Sequence, residues 1–550
     1  MHLEQIVVKL KDGTARPNLV LPGKESNTLF QQLSPLPNEM ADDAVTDNVA
    51  EIISATELNF CGTDMGSQHV QLISFQNLTS LTFGSFETLN EYQAQVRFRR
   101  DFERYQGRGS LREMDIIMDV DELLKASLNE QSRRGLKYLD FGLAPGRGED
   151  NLGYDEHFAD GWAQSITSLL SSLTHLVLRH RILTSKEFKI LCERCPQLKF
   201  LDISHSDLKT LPGISQLQNL HTLRIGCLPI KASRFIMEIF ELENLRHLSF
   251  VCSHYHCNCT ETENSVNWYL AAGRSLSRLR SVDFSNCEFL TDEIVMSFLK
   301  AHKNVKTVSV CNTSVENVKY RGVTVYHCKD LIAASKAMKF YVSQKNVLMV
   351  FIVLENIRDQ LIESGGAEIK SNEVSECWKS VNMALKEFVF VEGVKTTARA
   401  CFKELSKSNR LENIATADRL KTLDLLSNRL AQLLIGVVRL PFDEDWKIIK
   451  DILVWRTPGV DFDRLGWLAM KFTEDHYYSE HYYVCNNHVM VFDMVKDNVN
   501  TTSTVFQSIA VSEVLENLEI ISEDDEMSQR KRNVAARCMN FVLNNFPDTD

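Results

Sequence analysis

The chain has 550 residues, 44% of them hydrophobic and 24% charged, with a formal net charge of −12 at pH 7. A length of this order exceeds what one ordinary core absorbs, so two or three domains or one elongated repeat array are expected. The acidic balance excludes nucleic acid as the default partner, because gripping phosphates needs a dominant basic surface. No membrane segment is expected either, since the longest uninterrupted apolar run, 347 to 354, has eight residues.

The start, "MHLEQIVVKLKDG", lacks the basic-then-apolar pattern of a secretory signal, and the 14 cysteines fit reduced thiols better than a disulfide framework. A cytoplasmic protein is expected, with the nucleus also open.

From about residue 51 a hexad of the form apolar-x-x-apolar-x-apolar recurs. It reads "LTSLTF" at 78, "LREMDI" at 111, "LKYLDF" at 136, "LTHLVL" at 173, "LKFLDI" at 198, "LHTLRI" at 220, "LRHLSF" at 245, "LRSVDF" at 279 and "VKTVSV" at 305. The modal step of 22 to 26 residues is that of leucine-rich repeats, each a short strand with a helical or irregular return. "ELNFCG" near Leu58 resembles a degenerate first copy. The fourth and sixth positions should enter a shared core, while the third and fifth project on the concave side of a parallel sheet. Between hexads, "SKEFKILCERCPQLK" reads as a helix with Phe188, Ile190, Leu191 and Cys195 inward. Residues 51–320 are thus expected to form one α/β horseshoe.

Beyond 320 the hexads stop, and no proline occurs between Pro229 and Pro441. With that helix breaker gone, "DLIAASKAMKFYVSQKNVLMVFIVLENIRDQLIESGG" reads as two helices, and several amphipathic segments follow. Residues 321–550 are therefore expected to be an all-α, armadillo-like solenoid.

Three features invite chemistry. "VCSHYHCNCTETEN", at 251 to 264, crowds cysteines and histidines after the "LRHLSF" hexad, but a structural zinc site usually draws ligands from two separated knuckles. A surface loop is expected, with Cys252 packing at the strand end as a small hydrophobe. Cys192 and Cys195 form a C-x-x-C on a repeat helix, where core packing explains them. "GRGEDNLGYDEHF" has glycines but no preceding strand and no Lys-Ser/Thr ending, and His476, His481 and His488 form no recognisable pocket. No catalytic residue, metal or cofactor is expected.

On the concave side, Glu113, Asp115, Tyr138, Asp140, His175, Phe200, Asp202, Arg224 and His247 should project, giving a mixed surface. Beside them, second hexad positions carry Arg112, Lys137, Lys199, Arg246, Arg280 and Lys306 along one lip. That row is either a solvated edge neutralised by neighbouring acids or a docking edge for an acidic protein.

Leucine-rich repeats followed by a helical half resemble the zyg-eleven family of substrate receptors for cullin-RING ubiquitin ligases. The most specific patch is "LAMKFTEDHYYSEHYYVCNNHVMVFDMV" at 468 to 495, which resembles the family's Leu-Trp-Asn-x-Thr-Asp-Glu helix end, with "RNVAARCMNFV" at 532 to 542 similar to its Tyr-x-Ala-Ala-Gly-x-x-Ala helix. The resemblance implies a non-catalytic receptor whose amino-terminal box engages elongin B/C and, through it, a cullin. Thr28, Leu29 and Leu33 then fall at the adaptor spacing, and Leu36, Pro37, Met40 and Ala44 at that of a cullin-contacting box. Leu33 stands where the family has cysteine, and Pro37 where an apolar helical residue is usual. The same segment also reads as a helix capping the first repeat, since an open solenoid end must be covered, and "LPNEM" as a fragment of an F-box. A scaffold outside any ligase remains the alternative.

The resemblance further implies a pocket for a client's free amino-terminal glycine. Its positions fall on Met470, Lys471, Thr473, Glu474 and Asp475, with a second segment on Ser508, Ile509, Ala510, Val511 and Ser512. Methionine replaces the aromatic wall and lysine an asparagine, so weak or absent glycine recognition is expected. Tyr477, Tyr478, Tyr482 and Tyr483 offer an aromatic cluster in its place.

Overall fold

The computed structural model describes residues 54–60, 65, 67–84, 117–142, 157–230, 236–252, 259–316, 319–364, 369–388, 391–406, 414–435, 443–454, 457–474, 487–503, 506, 509–523 and 528–546. Ten strands build one parallel sheet: β1 (Glu57–Asn59), β2 (Ser80–Thr82), β4 (Tyr138–Asp140), β6 (His175–Val177), β7 (Phe200–Asp202), β8 (Thr222–Arg224), β9 (His247–Ser249), β10 (Ser281–Asp283), β11 (Thr307–Ser309) and β12 (Thr324–Tyr326), in that spatial order. Two-residue strands β3 (Ile117–Met118) and β5 (His157–Phe158) pair in a separate small sheet.

Register follows the hexad. Leu81 sits opposite Leu139, then Leu176, Leu201, Leu223, Leu248, Val282 and Val308 in turn, all buried. Successive strands are short because each carries one inward pair before the chain turns, and every inward side chain leans on the rungs beside it. Five turns need left-handed backbone: His180, His205, Cys227, Asn286 and Asn312, each two residues after a sixth position, all have φ between 54° and 63°. Gly226 marks the tightest approach of adjacent rungs, since a Cβ there would lie 1.8 Å from the Val251 carbonyl oxygen.

Three sequence expectations change. The hexad at 111–116 lies outside the described residues, and β2 pairs directly with β4. A further rung is supplied by β12, whose "VTVY" alternation does not follow the hexad. The stretch after Cys252 is not all loop: a helix runs Cys259–Ala271. Cys252 is buried and its thiol donates to Thr262 Oγ1 at 3.2 Å, and that oxygen also accepts from the Cys227 amide at 3.1 Å, which ties the insertion to the neighbouring repeat. Cys227 is disulfide-bonded, a departure from uniformly reduced thiols, while the nine other cysteines whose side chains are described are free and buried.

The returns on the convex side include α1 (Ser67–Ser74), α2 (Val120–Ser127), α3 (Glu130–Gly135), α4 (Trp162–Leu169), α5 (Ser185–Arg194), α6 (Cys259–Ala271) and α7 (Asp292–Ala301). Cys192 and Cys195 are core residues there, and burial pushes the Cys195 thiol up to about 11, which suits packing and not redox chemistry.

Ten helices follow: α8 (Leu331–Ser343), α9 (Val347–Glu363), α10 (Ser371–Glu387), α11 (Glu392–Ser406), α12 (Thr416–Ile435), α13 (Asp443–Val454), α14 (Phe462–Glu474), α15 (Asn487–Val495), α16 (Val511–Glu523) and α17 (Gln529–Asn545). Each packs against the helix two places further on, so the even-numbered and odd-numbered helices form two layers of one armadillo-like solenoid. Between α11 and α13 a buried ion pair joins Arg399 Nε to Asp445 Oδ1 at 2.8 Å, and in the even layer Trp378 Nε1 donates to Thr422 Oγ1 at 2.8 Å. No described helix is long and apolar enough to cross a membrane.

The register makes a direct prediction. Leu201→Ala should lower the unfolding free energy by about 2 to 5 kcal/mol in a urea titration, and Leu201→Asp should yield insoluble chain. Soluble, normally melting Leu201→Asp protein would refute the inward ladder.

Candidate functional site

On the concave face the third hexad positions form a half-buried aromatic and histidine row. Tyr138 and His175 have ring centroids 6.2 Å apart, His175 stacks on Phe200 at 5.8 Å, and the Arg224 guanidinium lies 4.9 Å over the Phe200 ring. Fifth positions behave differently from the expectation that they simply project. Asp140, Asp202, Arg224, Asp283 and Ser309 are buried, and Asp202 and Arg224, on adjacent strands, satisfy one another sideways. Asp202 Oδ2 lies 3.8 Å from Arg179 Nη1 and 3.4 Å from Arg224 Nη1, and Asp140 accepts from the Tyr138 hydroxyl at 3.2 Å and from the Gly142 amide at 2.6 Å. Burial raises the Asp140 carboxyl, with the Arg179 cation acting against it.

The helical half closes the other end of this face. Arg224 Nη2 donates to the Gln344 carbonyl at 3.2 Å, just past the end of α8. From α8, the Tyr341 hydroxyl shares a 2.7 Å hydrogen bond with Ser285 Oγ and donates to Asp283 Oδ1 at 3.2 Å. Burial pushes the Asp283 carboxyl up to about 6, although hydrogen bonds from Ser285 and Tyr341 and the Arg224 cation pull the other way. Sequence reasoning missed this junction. Tyr341 reads as one more apolar-face residue of an amphipathic helix, and nothing local marks it as a polar contact with a strand 58 residues earlier.

In the solenoid, Met470 is fully buried and walls no open pocket. Thr473 is buried too, its hydroxyl donating to the Ala469 carbonyl at 2.8 Å. Glu474 is already engaged: Lys471 Nζ lies 2.5 Å from Oε1, and the Ala510 amide donates to Oε2 at 3.1 Å. Asn517 Nδ2 donates to the Thr473 carbonyl at 2.8 Å and clamps the same helix end. Asp475, Tyr477, Tyr478, Tyr482, Tyr483 and Ser508 lie outside the described residues, as do the adaptor-box residues Thr28, Leu29, Leu33, Leu36, Pro37 and Met40. Among the described residues no group of three or more His, Cys, Asp or Glu side chains could hold a metal ion.

Fold and surfaces together define a repeat protein, a leucine-rich horseshoe continued by a helical solenoid. No family model matches the chain. Gastrulation-defective protein 3 of Caenorhabditis elegans, a zyg-eleven family member, is 28% identical over 275 residues, which span 50% of this chain and 36% of that relative. The likeness to the zyg-eleven family is thus carried by half of the chain, which spans about a third of the length of the relative it matches. A solved internalin from Listeria monocytogenes matches with a TM-score of 0.26 at 12% identity, over 52% of this chain and 69% of that one.

Two measurements test the site. A raised carboxyl binds its proton more tightly folded than unfolded, so the contribution of Asp283 is present below about pH 4 and lost as pH rises through about 6. Asp283→Asn should therefore narrow the difference in melting temperature between acidic and neutral buffer, and an unchanged difference would remove Asp283 as its source. With Glu474 held by Lys471 and Ala510, a peptide beginning with free glycine should bind no better than its acetylated control in calorimetry. Micromolar binding lost on acetylation and on Glu474→Ala would show that the ion pair opens to admit an ammonium group.

Proposed function

We propose that this chain is the non-catalytic, substrate-recognition subunit of an elongin B/C-cullin RING ubiquitin ligase and binds client proteins through its repeat surfaces. The observation that carries the reading is the homology to Gastrulation-defective protein 3 over half of the chain, together with the family resemblance of the segments at 468 to 495 and 532 to 542. The architecture supports it physically. A continuous curved sheet fused to a helical solenoid presents a long, preformed surface, which suits a receptor that must hold a folded client without reorganising. The Tyr341 and Arg224 contacts fasten the two halves to each other, so a client bound by either half would be held in a defined place relative to the other.

A second reading rests on that box. Leu33 and Pro37 depart from the family pattern, and a leucine-rich scaffold that recruits no ligase requires neither position. Recovery of partners on the tagged full-length chain separates the two. Elongins with a cullin support the receptor, Skp-type adaptors support an F-box, and neither supports the scaffold. Leu29→Ala should abolish elongin recovery at nearly unchanged melting temperature, because truncating a hot-spot side chain costs about 2 kcal/mol or more of binding. Undiminished recovery would end the adaptor assignment, and a large loss of thermal stability would instead make Leu29 part of a capping helix.

A further inference from the structure

The second hexad positions form a row that the strands themselves lock together. Backbone amides donate in sequence from Lys306 to the Arg280 carbonyl, from Arg280 to Arg246, from Arg246 to His221 and from His221 to Lys199, each at 2.8 Å. Every step crosses one strand, so neighbouring members of the row lie about 4.8 Å apart at the backbone. Lys199, Arg246, Arg280 and Lys306 are all exposed. Among the described residues none of the four has an ion-pair partner, unlike Arg179 and Arg224 two rows away, which share Asp202. On a chain of net charge −12, this file of unneutralised cations is a concentrated local exception. The central histidine reports the same field: the His221 ring is held below its usual value by burial and then by the Arg246 and Lys199 cations.

Like charges stacked one per strand repel, and nothing in the fold requires them, since the second position touches no core. The fifth-position row is closed by its own ion pairs and by α8, whereas the second and third rows stay accessible, with Phe200 and His247 half-buried beside the cations. From this geometry we infer that the row from Lys199 to Lys306 is the docking edge for an acidic α-helix of a protein partner, laid across the strands with about one carboxylate facing each rung.

The spacing selects the helix. One helical turn advances about 5.4 Å, close to the strand separation, whereas same-face side chains of an extended peptide recur only every 6.6 to 6.8 Å or so. Nucleic acid fits less well, because the cations stand in a single file and the remaining surface of an acidic protein repels a polyphosphate. The inference deepens the reading of the horseshoe as a client-binding surface, but its test uses the chain without any ligase partner. Failure to recover elongins therefore leaves it intact, and its own failure leaves the adaptor reading intact.

The probe is a labelled, end-capped helical peptide about five turns long, with glutamate on every turn of one face, titrated by fluorescence anisotropy against full-length chain. Its glutamine counterpart and a single-stranded RNA of similar length serve as competitors. The glutamate peptide should bind, more weakly as ionic strength rises, and should outcompete both. The triple variant Lys199→Glu, Arg246→Glu and Arg280→Glu should lose at least about tenfold in affinity at unchanged melting temperature. An equal charge change on other exposed lysines, Lys186→Glu, Lys300→Glu and Lys336→Glu, should leave affinity within about twofold. Absent binding, equal binding of the glutamine peptide, tighter binding of the RNA, or equal losses from the two triple variants would each overturn the assignment.

Discussion

Everything in this molecule depends on the fact that a three-residue strand cannot bury its own apolar side chains. Leu201 on β7 is enclosed only because Leu176 and Leu223 flank it on strands whose backbones are hydrogen-bonded to its own. The sheet is therefore cooperative along its length, with stability arising at the interfaces between repeats. The same lateral coupling gives every outward position a neighbour of the same hexad rank. Rows of chemistry thus arise from repetition: aromatic and histidine at the third position, ionic at the fifth, cationic at the second.

Those rows do different work because their surroundings differ. At the fifth position, Asp202 lies close enough to Arg224 on the next strand, and to Arg179 just beyond the neighbouring hexad, for the charges to offset one another, so Asp202 and Arg224 can be buried at tolerable cost. Such a network is costly to disrupt, since removing Asp202 would leave Arg224 buried without its ion-pair partner, a loss of about 3 to 5 kcal/mol. The second position keeps its charges in water, where they contribute little to stability and remain available for association.

The two halves meet through polar atoms. Tyr341 brings one hydroxyl to Ser285 and Asp283, and Arg224 reaches the Gln344 carbonyl, so α8 completes rungs whose carboxylates and hydroxyls would otherwise need water. This directional contact fixes the register of solenoid on horseshoe more sharply than apolar packing alone, because sliding α8 by one residue would strand a buried carboxylate. In the solenoid the same logic applies at Glu474. The Glu474 carboxylate at the end of α14 is satisfied by Lys471 and the Ala510 amide.

By itself the sequence determined the repeat, the inward ladder from Leu139 to Val282 and the change from strand to helix after the last hexads, because period and polarity are local properties that survive in one dimension. It also placed Cys192 and Cys195 in the core and exposed the cationic row as a pattern. Tertiary structure alone decided that β2 pairs directly with β4 and that β12 adds a rung beyond the last hexad, since membership of a sheet depends on what lies alongside and not on the motif. It also decided which charges find partners: Asp202 and Arg224 look as solvated as Lys199 and Arg246 when read along the chain, and only lateral pairing across strands and the arrival of α8 divide them into a buried network and an open edge. Hydrophobic periodicity is written in spacing, whereas the environment of a charge is set by residues far away in sequence, and for that reason the fold was legible and the site was not.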